Sequence, residues 1–303
     1  MITIRRILCP VDFSRFSRHA LEQAVALARE SAAEIMALHA CAVAPVTEVV
    51  HVGASIPFEP ARLTQEVRQA VTRQLTEFTH EVDAGGLLIV QKVHEREPVT
   101  AIVEAAEGWP ADLIVMGTHG RSGFERLWLG SVTEKVLRKA PCPVLTVPPR
   151  LSHVKHALTF SRILCAIDFS AASLRALEYA ASLAAAEGPG VHALNVVELL
   201  TEGGGLRDAT VLDTPDFRGE LLRFARERLH AAIPDALRAA CPITESVTMG
   251  KAYREILRIA REQESDLIVL GVQGRSGADL FLFGSTTQHV VRQAECPVMT
   301  IRA

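Results

Sequence analysis

The sequence predicts an α/β protein made of two tandem doubly wound (Rossmann-like) domains, each a five-stranded parallel sheet flanked by helices. Three observations lead there. Short unbroken apolar runs alternate with longer segments of helical spacing and charged outer faces, the pattern of buried parallel strands joined by crossover helices. Residues 6–14, Arg-Ile-Leu-Cys-Pro-Val-Asp-Phe-Ser, return 156 positions later at 162–170 as Arg-Ile-Leu-Cys-Ala-Ile-Asp-Phe-Ser. Two glycine loops, opening at Gly117 and Gly271, lie 154 positions apart. So small a change of offset is the mark of a tandem duplication.

In the first half, apolar runs at 5–11, 34–40, 87–93, 112–117 and 143–147 read as strands, and segments 17–31, 61–83, 99–107 and 132–139 carry helical spacing. The order is β-α-β-α-β-α-β-α-β. The second half repeats it, with strands at 162–167, 191–197, 243–248, 266–271 and 297–302. A chain of 303 residues exceeds one typical core and fits two of about 150 residues. Pro148-Pro149 ends the first unit and a basic segment around Lys155 and His156 leads to the second, giving domains at 1–150 and 158–303. Such a fold uses right-handed crossovers and places its ligand crevice at the carboxyl ends of strands where their order reverses.

Composition removes several classes of function. With 32 basic and 35 acidic residues and a net charge of −3, no global field favours nucleic acid or an anionic membrane surface. Although 49% of the residues are hydrophobic, no run approaches the roughly 18 apolar residues of a membrane span. A soluble, cytoplasmic protein is expected. Cys9 matches Cys165 and Cys142 matches Cys296 across the repeat. They read as buried small thiols at equivalent strand positions rather than disulfides or metal ligands. Cys41 and Cys241 have no repeat partner and no assigned role.

The loops carry the chemistry. Gly117-Thr118-His119-Gly120 is followed after nine residues by Gly130-Ser131, and Gly271-Val272-Gln273-Gly274 after nine by Gly284-Ser285; each loop also contains Gly-Arg-Ser-Gly, at 120–123 and 274–277. Each follows an apolar strand and opens a helix, where backbone amides and the helix dipole receive an anion. Glycine is expected because amides can surround a phosphate only in left-handed or tight conformations free of a Cβ. Ser131 and Ser285 are expected as N-caps, with Glu134 and Gln288 completing capping boxes, and a hydroxyl there can also meet a phosphate oxygen. Asp12 and Asp168 end the first strand of each unit. Each carboxylate either faces a ribose hydroxyl in the crevice or serves as a turn or cap residue.

Together these residues resemble the universal stress protein family, in its ATP-binding, tandem form, over nearly the whole chain. The family signature is Gly, two residues, Gly, nine residues, then Gly-Ser or Gly-Thr, and both repeats satisfy it. The resemblance implies that Asp12 and Asp168 take the ribose, just after Pro10 and its counterpart Ala166. Phosphates, with their Mg2+, fall to Gly117, Gly120, Arg121, Gly130 and Ser131 in one repeat and to Gly271, Gly274, Arg275, Gly284 and Ser285 in the other. It implies adenine binding by backbone atoms at Ala40 with Met116, and at Val196 with Leu270. It also implies that final strands 144–147 and 298–301 pair, so that the halves form an internal pseudo-dimer, and that the chain assembles as a homodimer.

The repeats are unequal. The family pattern Gly-x-Pro is half kept in each, as Arg96-Glu97-Pro98 and Gly250-Lys251-Ala252, and the first loop holds Arg121 with Arg126 where the second holds Arg275 with Asp279. The first site is expected to be more electropositive and to bind ATP more tightly. Efficient ATP hydrolysis would need a lysine on the phosphates, a carboxylate for magnesium and a group placing water. No Gly-Lys-Ser/Thr occurs, and His119 reads as a satisfied or exposed histidine rather than a base. The expected function is a nucleotide-responsive regulator of a protein partner. A slow ATPase and a nucleotide-independent scaffold are the alternatives.

Overall fold

A computed structural model describes residues 3–41, 60–120, 129–149, 160–184, 190–198, 215–272 and 284–302. The first half runs β1 (Arg6–Pro10), α1 (Arg15–Ser31), β2 (Glu34–Ala40), α2 (Pro60–His80), β3 (Ile89–His94), α3 (Pro98–Gly108), β4 (Leu113–Gly117), α4 (Ser131–Lys139) and β5 (Val144–Val147). The second runs β6 (Arg162–Ala166), α5 (Ala171–Leu183), β7 (Gly190–Val197), α6 (Pro215–Ala232), α7 (Asp235–Ala240), β8 (Ile243–Met249), α8 (Ala252–Glu262), β9 (Leu267–Gly271), α9 (Ser285–Gln293) and β10 (Val298–Ile301). The expected alternation holds in both. The sequence reading missed α7, a six-residue helix begun by Pro234 with no buried residue, too short to show a helical period.

All ten strands form one sheet in the order β3-β2-β1-β4-β5-β10-β9-β6-β7-β8. Pairing is parallel within each half and antiparallel between β5 and β10, where Leu145 faces Met299. The internal pairing implied by the resemblance is therefore present. It is reciprocal: Thr146 Oγ1 donates to Val298 O at 3.1 Å and Thr300 Oγ1 to Val144 O at 3.3 Å. Both threonines are buried, so their hydroxyls are satisfied within the seam.

The unbroken apolar character of the strands follows from burial on both faces. Ile7, Cys9, Ile35 and Ala37 point into one core with α1, α2, α5 and α6, while Leu8, Leu38, Ile114 and Met116 point into another with α3, α4, α8 and α9. Each core runs on across the seam, so one three-layer body results. Carboxylates fix the central register. Asp112 accepts from the amides of Arg5 and Arg6, and Asp266 from those of Ser161 and Arg162, pinning β4 beside β1 and β9 beside β6. The order 3-2-1-4-5 reverses between β1 and β4, which puts a crevice at their carboxyl ends.

Candidate functional site

A cavity of about 350 Å3 opens at that reversal. Pro10 and Asp12 enter it from the end of β1, Ala40 from β2, Met116 and Gly117 from β4, Gly120 from the loop, and Gly130 and Ser131 from the start of α4. These are the first-repeat residues singled out from sequence, apart from Arg121, which lies outside the described residues. In the second repeat Asp168, Val196, Leu270, Gly271, Gly284 and Ser285 occupy the matching ends of β6, β7, β9 and α9; Gly274 and Arg275 lie outside the described residues.

Asp12 is held by a compact turn. Its Oδ1 accepts from Ser14 N at 3.0 Å and Ser14 Oγ at 2.6 Å, while its own amide donates to Ser17 Oγ. Asp168, Ser170 and Ser173 repeat each contact. Ser14 and Ser170 are the N-caps of α1 and α5, so α1 starts two residues before its apolar spacing suggests. The turn forces Phe13 and Phe169 to φ of 63° and 67°, a left-handed backbone that costs a bulky residue roughly 1–3 kcal/mol. Packing sustains it: the Phe13 ring stacks on His39 with centroids 4.3 Å apart, and Arg228 lies 4.1 Å over Phe169. One oxygen of Asp12 thus makes the turn, and the other faces the glycine loop.

A second brace comes from the neighbouring strand. Val11 N donates to Leu38 O, and His39 Nδ1 lies 2.7 Å from Val11 O. In the other repeat, buried Asn195 donates from Nδ2 to Ile167 O at 2.7 Å. Sequence reasoning missed this pair, although His39 and Asn195 are related by the 156-residue offset.

Of the two reasons expected for glycine, left-handed backbone and tight approach, the described loops use the second. None of the described loop glycines has positive φ; close approach excludes a side chain instead. A Cβ on Gly117 would lie 3.1 Å from Phe16 O, one on Gly271 2.9 Å from Ser173 N, and one on Gly120 2.8 Å from Asp12 Oδ2. The first two let α1 and α5 press on the ends of β4 and β9. The third brings the loop onto the aspartate.

Ser131 and Ser285 are not the N-caps. Gly130 and Gly284 hold that position and, having no side chain, make no side-chain cap bond; their amides donate back to Thr118 O and Val272 O, and each helix starts one residue early. Ser131 therefore sits in the first turn, and Glu134 pairs with Arg138 instead of closing a capping box. The fastening is done by Thr133 and Thr287, whose hydroxyls donate to Gly117 O at 3.0 Å and Gly271 O at 2.9 Å. Their shared offset was the available signal.

His119 is neither exposed nor fully satisfied. Its Nδ1 meets Thr118 Oγ1 at 2.9 Å and its ring packs on Phe16, while its Nε2 is buried with no hydrogen-bond partner among the described residues. Burial holds its pKa below the ordinary 6.5. The thiols are inert structural groups: Cys9 and Cys165 are buried with their pKa raised by desolvation. Cys142 and Cys296, each pushed up to about 12, sit in bends before β5 and β10 rather than in the strands. No described helix is long and apolar enough to cross a membrane.

The model of the universal stress protein family matches residues 3–148 and again 159–302. The chain belongs to that family. It is 36% identical to universal stress protein MJ0531 of Methanocaldococcus jannaschii over 148 residues, 47% of this chain and 81% of that protein. Universal stress protein E of Photorhabdus laumondii is 22% identical with 100% of this chain and 96% of that one covered. The crystal structure of a universal stress protein from Archaeoglobus fulgidus superposes with a TM-score of 0.58 at 23% identity, over 99% of this chain and 97% of that one, a likeness of fold across both halves.

Proposed function

We propose that this universal stress protein binds adenine nucleotides, one per repeat, and acts in the cytoplasm as a nucleotide-responsive regulator whose units span 1–150 and 158–303. The observation that carries the reading is the cavity at the strand-order reversal, of a size suited to a small ligand, with the Asp12 carboxylate on one wall and the Gly130–Ser131 helix start on the other. In this reading Asp12 takes the ribose, backbone atoms of Ala40 and Met116 take adenine, and the Gly120 amide with the amide and hydroxyl of Ser131 takes the phosphates, while Gly130, its own amide engaged by Thr118 O, lets the chain pass close to them. Mg2+ would arrive on the phosphates. Asp168, Val196, Leu270 and Ser285 play the same parts in the second repeat, with Gly284, its amide on Val272 O, in the place of Gly130. The described lining contains no lysine and one carboxylate, Asp12, which supports binding over turnover. Ordering of the loops by ATP would favour a partner that prefers the ordered form. A homodimer would need a surface other than the β5–β10 edge, which is filled within the chain.

Calorimetric titration with magnesium ATP, alongside Gly120→Val and Gly274→Val variants and an assay for released phosphate, tests this. Two binding events, the tighter removed by Gly120→Val, are expected without appreciable phosphate release. An absence of binding would leave the scaffold reading, and steady release would make the protein an ATPase.

A further inference from the structure

The two glycine-loop sequences differ at one position in a way their shared fold does not require. His119 lines the first cavity, and the 154-residue offset places Gln273 at the same point of the second loop. We propose that the first cleft takes up one proton at His119 when an anionic phosphate ligand binds, whereas the second binds without proton uptake. The proposal rests on the nucleotide reading of the first cleft and adds its linkage to pH.

Geometry supports the proton's destination. Nδ1 is already engaged by Thr118 Oγ1, and Nε2 is buried without a partner among the described residues, on a residue that lines the cavity. A buried polar atom in that state gains most from a ligand that can satisfy it. An imidazolium there donates to a phosphate oxygen and neutralises part of its charge. Desolvation disfavours the charged ring, so a proton bound there together with the anion is drawn from solvent.

Among the described residues, three other titratable groups face this ring's surroundings. Asp12 approaches through Gly120, Arg15 lies over the Phe16 ring that packs on His119, and His39 lines the same cavity with Nδ1 on Val11 O. Asp12 is a carboxylate already engaged by Ser14, and a guanidinium such as that of Arg15 has no site for a further proton. His39 is the competitor for the proton. Asn195 shows that an amide can make its bond to the strand end, so His39→Asn removes that proton site while keeping the brace.

Titration of the full chain with ATP in two buffers of different ionisation enthalpy reads the uptake directly. Wild type should take up a fraction of a proton at the tighter site, with affinity falling by up to about tenfold per pH unit across the window between the empty and bound pKa values of the ring. His119→Gln should abolish the uptake and flatten the pH profile, and His39→Asn should keep both. Uptake that persists in His119→Gln, or moves with His39→Asn, overturns the proposal. Binding without uptake in wild type overturns it while leaving the nucleotide reading intact, and a failure of ATP to bind at all removes both.

Discussion

Gly120→Ala isolates the contact between loop and aspartate. The added Cβ would lie 2.8 Å from Asp12 Oδ2, where ordinary contact begins at 3.4 Å. The carboxylate has to turn away, but its other oxygen is fixed by the amide and hydroxyl of Ser14 at 3.0 and 2.6 Å. Weakening these bonds costs about 1 kcal/mol each at most, so the fold should lose about 1–2 kcal/mol in urea denaturation. A charge-assisted contact from Asp12 to the ligand would be lost as well, which corresponds to an affinity drop of about 10- to 100-fold at the first site. A cycle with Asp12→Ala sharpens the test. Once the carboxylate is gone, the new methyl meets nothing from residue 12, and Gly120→Ala should add little to the loss already caused by Asp12→Ala. Full additivity of the two substitutions in calorimetric titration would refute the contact, and so would wild-type affinity in Gly120→Ala.

Further outcomes follow from the same structure. Thr133→Val removes the bond that fastens α4 to the end of β4 and leaves Gly117 O short of a partner; chemical denaturation should show a loss of about 1–2 kcal/mol, with Thr287→Val alike in the second half. Acidification should destabilise the fold through His119: its pKa is lowered in the folded state, so as pH falls below the ordinary 6.5 the unfolded chain binds the proton first and stability drops. His119→Gln should reduce that slope in thermal melts from pH 7 to pH 5, and an unchanged slope would count against burial of the ring. Cys9 and Cys165, fully buried with raised pKa, should stay unreactive to a thiol reagent at neutral pH until the protein is unfolded, a point that mass spectrometry of the labelled chain decides.

Much of this arrangement is legible from residues alone because it depends on local pattern. Unbroken runs such as Leu113 to Met116 announce strands buried on both faces, and the repeated Asp-Phe-Ser marks where β1 and β6 end. What escapes is set by contacts between segments distant in sequence. No local rule says that Gly120 must meet Asp12, or that Thr118 O will capture Gly130 N and shift the start of α4. Glycine signalled either left-handed or tight backbone, and the described loops use the tight one, while at the ends of β1 and β6 the left-handed residues are Phe13 and Phe169, whose rings are packed. Helix α7 shows the opposite limit, since six residues without a buried face give periodicity nothing to detect.

The seam decides how the two clefts relate. Because β5 and β10 run antiparallel while every other pair is parallel, the carboxyl ends of the strands in one half point opposite to those in the other. The two strand-order reversals therefore present their carboxyl ends at opposite edges of the sheet, and one ligand cannot bridge them. Any coupling has to pass through the strands between. The route is short: Thr118, beside the first cavity, donates its amide to Val147 O on β5, and Val272 donates to Ile301 O on β10, while β5 and β10 are locked by the paired threonine bonds of Thr146 and Thr300. Both ends of this path are buried and fully packed, so a shift in one loop meets a rigid seam rather than a hinge. If each repeat holds a nucleotide as proposed, this architecture makes the two sites independent on one body, so that a sequence difference such as His119 against Gln273 would give each its own response.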